Sequence, residues 1–380
     1  MEKKQFNWGP GLFLIIYQIC LLVTFPFYLY YSPPSISLIV ASIILLYLTG
    51  ISITAGYHRF YSHRSYRTHP FVESILLFFA SMAGQGSALR WAFDHRLHHA
   101  HVDTDDDPYS INKGFWYAHF FWILEKPRTI DPKVVPDLMK NKFVQFQDRY
   151  IGILMVLTNV VALLFVGWLL NDYMGACFLA CWLRLFVLHH CTWFINSLAH
   201  TWGDKPFCQE QSAVNNYVIA LLTFGEGYHN YHHVFANDYR NGIKWFHFDP
   251  TKWVIWTLNK LGLARDLKRI DPYTIKKRMI LERKKLLLER LCDLCYVKKD
   301  EIEKSVLDLS ERILNKIAQA NNLKEDYYNI LRQGQKERLK EIKQQLNQLK
   351  DSLQEDWYLW IELSRHILHL KPMKVQLSST

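Results

Sequence analysis

The chain has 380 residues, enough for one membrane body with an extension or for two domains. Half the residues are apolar, yet the mean hydropathy is close to zero, so the apolar residues are concentrated in blocks. The formal net charge is +10, and residues 271–380 carry +5 of it. No basic run is interleaved with aromatics on a nucleic-acid motif, so the excess is read as a cytoplasmic face near anionic lipid, with no nucleic-acid partner.

Residues 1–10 are polar and include Lys3 and Lys4. Residues 11–31 are long and apolar enough to span a bilayer. Ser32-Pro33-Pro34 breaks that helix, and 35–57 predicts a second span running into His58. Residues 71–89 are apolar but contain Glu73, Gly84, Gln85 and Gly86. A crossing there would put His63 and His95 on opposite sides, so the segment is read as re-entrant or interfacial. Residues 151–170 and 173–199 predict the third and fourth spans, separated by Asn171-Asp172. The N-terminus, 58–150 and 200–380 then share one side, and the Lys/Arg bias makes it cytoplasmic.

Residues 271–380 read as a cytoplasmic helical extension, separate from a membrane domain at 1–270. Ile302, Val306, Leu309 and Ile313 follow helical spacing, and Leu339, Ile342, Leu346, Leu349 and Leu353 form a heptad seam. Asn321-Asn322 and Gly334 lie between the two runs. The expectation is a helical hairpin, small bundle or coiled coil, either a stabilising cytoplasmic cap or a part that docks the electron donor or self-associates. Cys292-x-x-Cys295 lacks a partner pair and is read as incidental. No secretory signal is evident.

Histidine patterning carries the chemistry. His95-x-x-His98-His99 and His229-x-x-His232-His233 each place three imidazoles on one helical face. His58 and His63 are five apart, which predicts that the helix ends between them. Eight imidazoles exceed what one metal takes, so two metals are implied, and imidazole suits iron, zinc, copper or nickel. Asn196 and His200, four apart at the end of the last span, are polar residues where function is the default expectation. His69, His101, His119, His189, His190 and His247 lack such spacing and are read as structural; His366 and His369 are read as surface groups.

His58-Arg-Phe-Tyr-Ser-His63, His95-Arg-Leu-His-His99 and His229-Asn-Tyr-His-His233 resemble the three boxes of the membrane fatty acyl desaturases, stearoyl-CoA Δ9 type. Gly50 to Gly56, Thr192-Trp193-x-x-Asn196-Ser197-x-x-His200, and Asp238-Tyr-Arg-Asn-Gly242 to Trp253 are similar too. The similarity covers roughly residues 10–270. It implies an all-α integral membrane protein of four transmembrane helices with a cytoplasmic His-rich di-iron domain. It also implies nine ligands, His58, His63, His95, His98, His99, His200, His229, His232 and His233, with Asn196 acting through a water. Which iron each serves stays open. Substrate contacts are expected from Gln85, Trp91, Asp94, Thr192, Trp193 and Lys126, with Gly50 or Leu46 setting how far the methyl end reaches.

The activity implied is O2-dependent formation of a cis double bond in a saturated long-chain acyl group, with a redox metal supplying the oxidising step. One departure bears on the carrier. Animal acyl-CoA enzymes of this family carry Arg where this chain has Phe93, in Trp91-Ala-Phe93-Asp94-His95. Lys126, Arg128, Arg64 and Arg67 are the cations that could stand in, so acyl-CoA is expected, with acyl-lipid or acyl-carrier protein open. His69-Pro70-Phe71 lacks the Gly-Gly of a fused haem motif, so the chain is expected to hold no haem. Electrons would come from a separate ferredoxin, rubredoxin or cytochrome b5 with its reductase. With no retrieval signal either, a bacterial inner membrane is favoured over the endoplasmic reticulum. The rival readings are a di-iron lipid or alkane hydroxylase and a membrane zinc transporter or metal sensor.

Overall fold

A computed structural model of the chain describes residues 5–294 and 298–370. Lys3, Lys4 and Cys295 lie outside the described residues. The chain divides into two compact units, Met1–Lys205 with Glu210–Arg269, and Pro206–Gln209 with Ile270–Thr380.

The first unit holds α1 (Trp8–Tyr31), α2 (Ile36–Ser62), α3 (Pro70–Met82), α4 (Ala88–His101), α5 (Phe115–His119), α6 (Lys142–Leu170), α7 (Tyr173–His200), α8 (Tyr217–Leu222), α9 (His229–Val234) and α10 (Pro250–Lys260). Among the described residues α1, α2, α6 and α7, of 24, 27, 29 and 28 residues, are long and apolar enough to cross a membrane. Side-chain caps set several of their ends. Ser35 accepts from the Leu38 amide at 3.2 Å before α2, and Asp172 from the Gly175 amide at 2.7 Å before α7. α6 starts at Lys142, nine residues ahead of the expected span, because Asn141 caps it by accepting from the Phe143 and Val144 amides.

α2 refines the reading of the first His pair. The helix ends at Ser62, between His58 and His63 as expected, but first it widens into a π-helix over Ser52–Ser62, and the His63 amide donates to the His58 carbonyl at 3.1 Å. The Ser62 hydroxyl bonds the Tyr57 carbonyl, also five residues back, at 2.7 Å. An i to i+5 ladder puts residues five apart on one face, and such widenings concentrate at functional sites.

α3 has 13 residues. At 1.5 Å per residue it is about 20 Å long, short of a hydrocarbon core of about 30 Å. It buries Val72, Leu76, Leu77 and Ala80 and leaves Phe71, Ile75 and Phe78 exposed. A turn with Gly84 at φ +66° and Gly86 at φ +80° leads into α4, which Ser87 caps. Among the described residues the one sheet is a short antiparallel pairing, β1 (Arg67–Thr68) with β2 (Ala264–Arg265), that ties the first box's exit to the chain after α10.

The second unit is three helices, α11 (Pro272–Cys292), α12 (Lys299–Gln333) and α13 (Lys336–His369). α12 runs straight through Asn321-Asn322, both exposed, and stops at Gly334 with φ +71°. The core is Ile280, Leu287, Leu291, Val306, Ile313, Ile317, Leu353, Trp360 and Ile367. Of the heptad positions, Ile342 and Leu353 are buried and Leu339, Leu346 and Leu349 half-buried. Cys292, His366 and His369 are exposed.

Candidate metal centre

α4 carries His95, His98 and His99 on one face, α9 carries His229, His232 and His233, the π-turn supplies His58 and His63, and the end of α7 supplies His200. The nine imidazoles sort into two groups. In His58, His63, His95, His99 and His232, and again in His98, His200, His229 and His233, one ring nitrogen per residue lies within 4.8 Å of every other. Each H-x-x-H-H box is split: His98 leaves its neighbours for the second group, and His232 leaves its own for the first.

The inner nitrogens meet edge to edge. Nε2 of His58 is 2.9 Å from Nε2 of His232, His63 is 2.8 Å from His95, and His99 is 3.0 Å from His232. In the second group His233 lies 3.3 Å from His98 and 3.0 Å from His229, and the buried Nε2 of His200 has no hydrogen-bond partner. Four outer nitrogens face acceptors, whereas those of His229 and His232 are buried with no hydrogen-bond partner among the described residues. His58 Nδ1 is 2.9 Å from Glu226, His98 Nδ1 2.9 Å from Asp107, His95 Nδ1 3.1 Å from the Tyr109 hydroxyl, and His200 Nδ1 2.6 Å from the Ser212 hydroxyl. An outer nitrogen that donates leaves the inner one as a bare lone pair, the arrangement of metal-ligating histidine.

Charge state agrees. Burial, and then mutual repulsion with neighbouring imidazoles, pushes His63, His95, His99, His229, His232 and His233 well below the ordinary imidazole value. Imidazole nitrogens converging in this way form a donor set that fits a metal ion in each group.

A buried ionic lattice holds the first box against the third. Burial would raise the Glu226 carboxyl, but Arg59 and His58 outweigh it and hold it below the carboxylate range. Arg59 Nη2 donates to Glu226 at 2.8 Å and to Asp249 at 2.9 Å, and its Nη1 to the Tyr239 carbonyl at 2.8 Å. Asp249 also caps α10 and accepts from the Asn241 and Gly242 amides. On the other side Ser212 bonds Asp103, and Asp107 accepts from the Asp103 and Tyr109 amides.

A cavity of about 1180 Å³ reaches His58, His95, Asn196 and Glu226. Gln85, Trp91, Thr192 and Trp193 form its walls, and Gln85 donates to Thr192 at 2.9 Å. Asp94, Arg90, Lys113, Lys126 and Arg128 also line it; the last three are exposed and mark an opening to solvent. Burial raises Asp94 to about 6 against the opposing pull of Arg90, 3.4 Å away. Asn196 lies on the cavity wall. Gly50 and Leu46 are not among the residues that line this cavity. Gly50 is where the Phe224 ring crosses α2, so closely that a Cβ would collide with it, and Leu46 packs on the same core.

The profile of the family described as fatty acid desaturase matches residues 34–265. The chain belongs to the fatty acid desaturase family. It is 42% identical over 259 residues to a probable acyl-CoA desaturase of Schizosaccharomyces pombe, covering 67% of this chain and 54% of that one. To acyl-CoA desaturase 1 of Saccharomyces cerevisiae it is 40% identical over 259 residues, 67% and 50% of the two chains. To the sn-1 stearoyl-lipid 9-desaturase of Anabaena variabilis it is 34% identical over 274 residues, 71% and 96%. The chain spans about half the length of the two yeast relatives. With four apolar helices, this membership makes it an integral membrane protein.

Where animal acyl-CoA members of the family carry Arg, Phe93 is buried in the core and offers no cation. Arg64 and Arg67 do not line the cavity and pair with Asp137 and Asp266. Lys126 and Arg128 do line it. So do Arg90 and Lys113, which sequence reasoning missed. Arg90 was legible as the i, i+4 partner of Asp94. Glu226, Asp107, Tyr109 and Ser212 were missed because their partners are imidazoles of other segments.

Proposed function

We propose that the chain is an O2-dependent fatty acyl desaturase that places a cis double bond at Δ9 in a saturated long-chain acyl group carried on CoA. The observation that carries the reading is a cavity of about 1180 Å³, ample for a long-chain acyl group, whose lining includes His58 and His95 of a nine-imidazole centre. The relatives' names, two acyl-CoA desaturases and a stearoyl-lipid 9-desaturase, support the substrate class and position.

In this reading each His group holds one iron, and iron with O2 supplies the oxidising power that no side-chain acid or base has. One acyl –CH2–CH2– unit, O2, two electrons and two protons give –CH=CH– and two waters. The electrons come from a separate ferredoxin, rubredoxin or cytochrome b5. The chain's own residues hold and aim. Glu226, Asp107 and Ser212 orient imidazoles through their outer nitrogens. Asn196, on the cavity wall, orients a water. Trp91 and Trp193 exclude solvent, and the Gln85–Thr192 pair turns the acyl chain so that one C–C pair stands beside the centre. Arg90, Lys113, Lys126 and Arg128 supply charge for a phosphate-bearing carrier. The Lys/Arg bias supports a cytoplasmic centre.

Expression of the full chain in a desaturase-deficient host tests this. A new cis-9 monoene that disappears with His233→Ala is the expected result. Hydroxylated acyl chains instead of monoenes, or an unchanged lipid profile from a protein that binds zinc and no iron, would overturn it.

A further inference from the structure

The turn between α3 and α4 is held from three spans at once. The last carbonyls of a helix have no partner within it. Here Met82 O accepts from Asn159 of α6 at 3.1 Å and from Arg184 of α7 at 3.3 Å. Ala83 O accepts from His189 Nε2 of α7 at 2.9 Å, and Gly86 O from the Tyr57 hydroxyl of α2 at 3.0 Å. Behind His189, the Tyr17 hydroxyl of α1 lies 2.7 Å from Nδ1. Since Nε2–H is engaged by a carbonyl, the phenol donates to Nδ1, and one neutral tautomer serves both bonds. His189 is 1% exposed, and a Cβ on Gly84 would stand 3.4 Å from its Nε2, so ring and turn are in contact.

What this turn carries is Gln85, the donor to Thr192. Gly84, Gln85, Gly86, His189 and Thr192 all line the cavity that reaches His58 and His95. His189 and Thr192 are three apart on α7, and Trp193 stacks on the His189 ring at 5.3 Å.

We propose that His189, fixed by Tyr17, is a positioning residue that sets where the Gly84–Gly86 turn stands and therefore which C–C pair of the acyl chain reaches the centre. The inference rests on the desaturase reading. A displacement of about 1 Å between turn and centre is enough to change what is oriented for reaction. Were the bonds only a way of satisfying carbonyls in apolar surroundings, their loss would lower the amount of folded protein and leave the product's double bond where it is.

The test is the double-bond position, read by mass spectrometry of dimethyl disulfide adducts, in lipids from a desaturase-deficient host making the full chain. Protein amount is read in parallel by size-exclusion chromatography. Wild type is expected to give one positional isomer, and His189→Leu to place roughly a tenth or more of its monoene at a neighbouring position. Tyr17→Phe is expected to shift less in the same direction, and His189→Gln, which keeps a donor and an acceptor, to restore the single isomer. An unchanged single isomer from folded His189→Leu overturns the proposal. If that variant does not accumulate, an unchanged isomer from Tyr17→Phe overturns it. Absence of any monoene from wild type overturns the desaturase reading instead, and this inference with it.

Discussion

Around the metal centre charged and polar side chains are among the most buried: Arg59, Glu226 and His232 at 1% exposure, Asp249 at 0%. In the C-terminal unit the fully buried side chains are, apart from Ser310, apolar: Ile280, Leu287, Val306, Ile313 and Ile367, all at 0%. The two interiors obey different rules. A buried polar group is tolerable only with its partner, so the first interior fixes positions pair by pair and is intolerant of losing one member. The second gains by area, which any apolar side chain of the right volume supplies. Geometry for chemistry is built in the first way, and a stable helical body in the second.

The sharpest break of that contrast is at the ligands themselves. His99 belongs to the five-imidazole group and His229 to the four-imidazole group. If each group holds one iron, His99→Ala and His229→Ala each lower the metal content of purified protein from about two to about one per chain, while activity falls by more than about 100-fold in both. Loss of both metals from either variant would mean the groups are not separable. The ionic lattice comes next. Glu226→Ala leaves Arg59 with Asp249 as its remaining carboxylate, beside the Tyr239 carbonyl, and removes the acceptor facing His58 Nδ1. Breaking a buried pair on one side costs about 3–5 kcal/mol, seen as a lowered thermal midpoint of the detergent-solubilised chain. An unshifted midpoint would show that Asp249 suffices.

How much of this was legible follows the range of the interactions. The H-x-x-H-H boxes were readable because i, i+3 and i+4 fall on one helical face whatever the fold does. The division of those boxes between two groups was not, since it depends on where α4 and α9 meet. The helix end between His58 and His63 was readable, but the widening that precedes it was not; Ser62, back-bonding five residues, takes part in it. What crosses Gly50 was not readable either, since Phe224 lies far along the chain. Asn321-Asn322 lies between the two periodic runs of the sequence, yet α12 continues through it. On an exposed helical face such residues cost only a few tenths of a kcal/mol each relative to better helix formers, and packing of α12 on α13 overrides that.

The smallest expected effect lies in the C-terminal unit. Ile313 is fully buried and packs in a cluster with Val306, Ile317 and Leu353. Ile313→Val removes one methylene from that interior, and the site keeps its shape and polarity. The cost is about 0.5–1.5 kcal/mol, since the cavity left is small and apolar neighbours relax into it. Iron content should stay at the wild-type value, because no metal-facing group belongs to this unit among the described residues. The two readouts separate the rules. A polar interior loses its metal with its stability when one member goes, whereas an apolar one gives up stability in proportion to volume. If Ile313→Val lowered iron content, the C-terminal helices would be part of what holds the centre together.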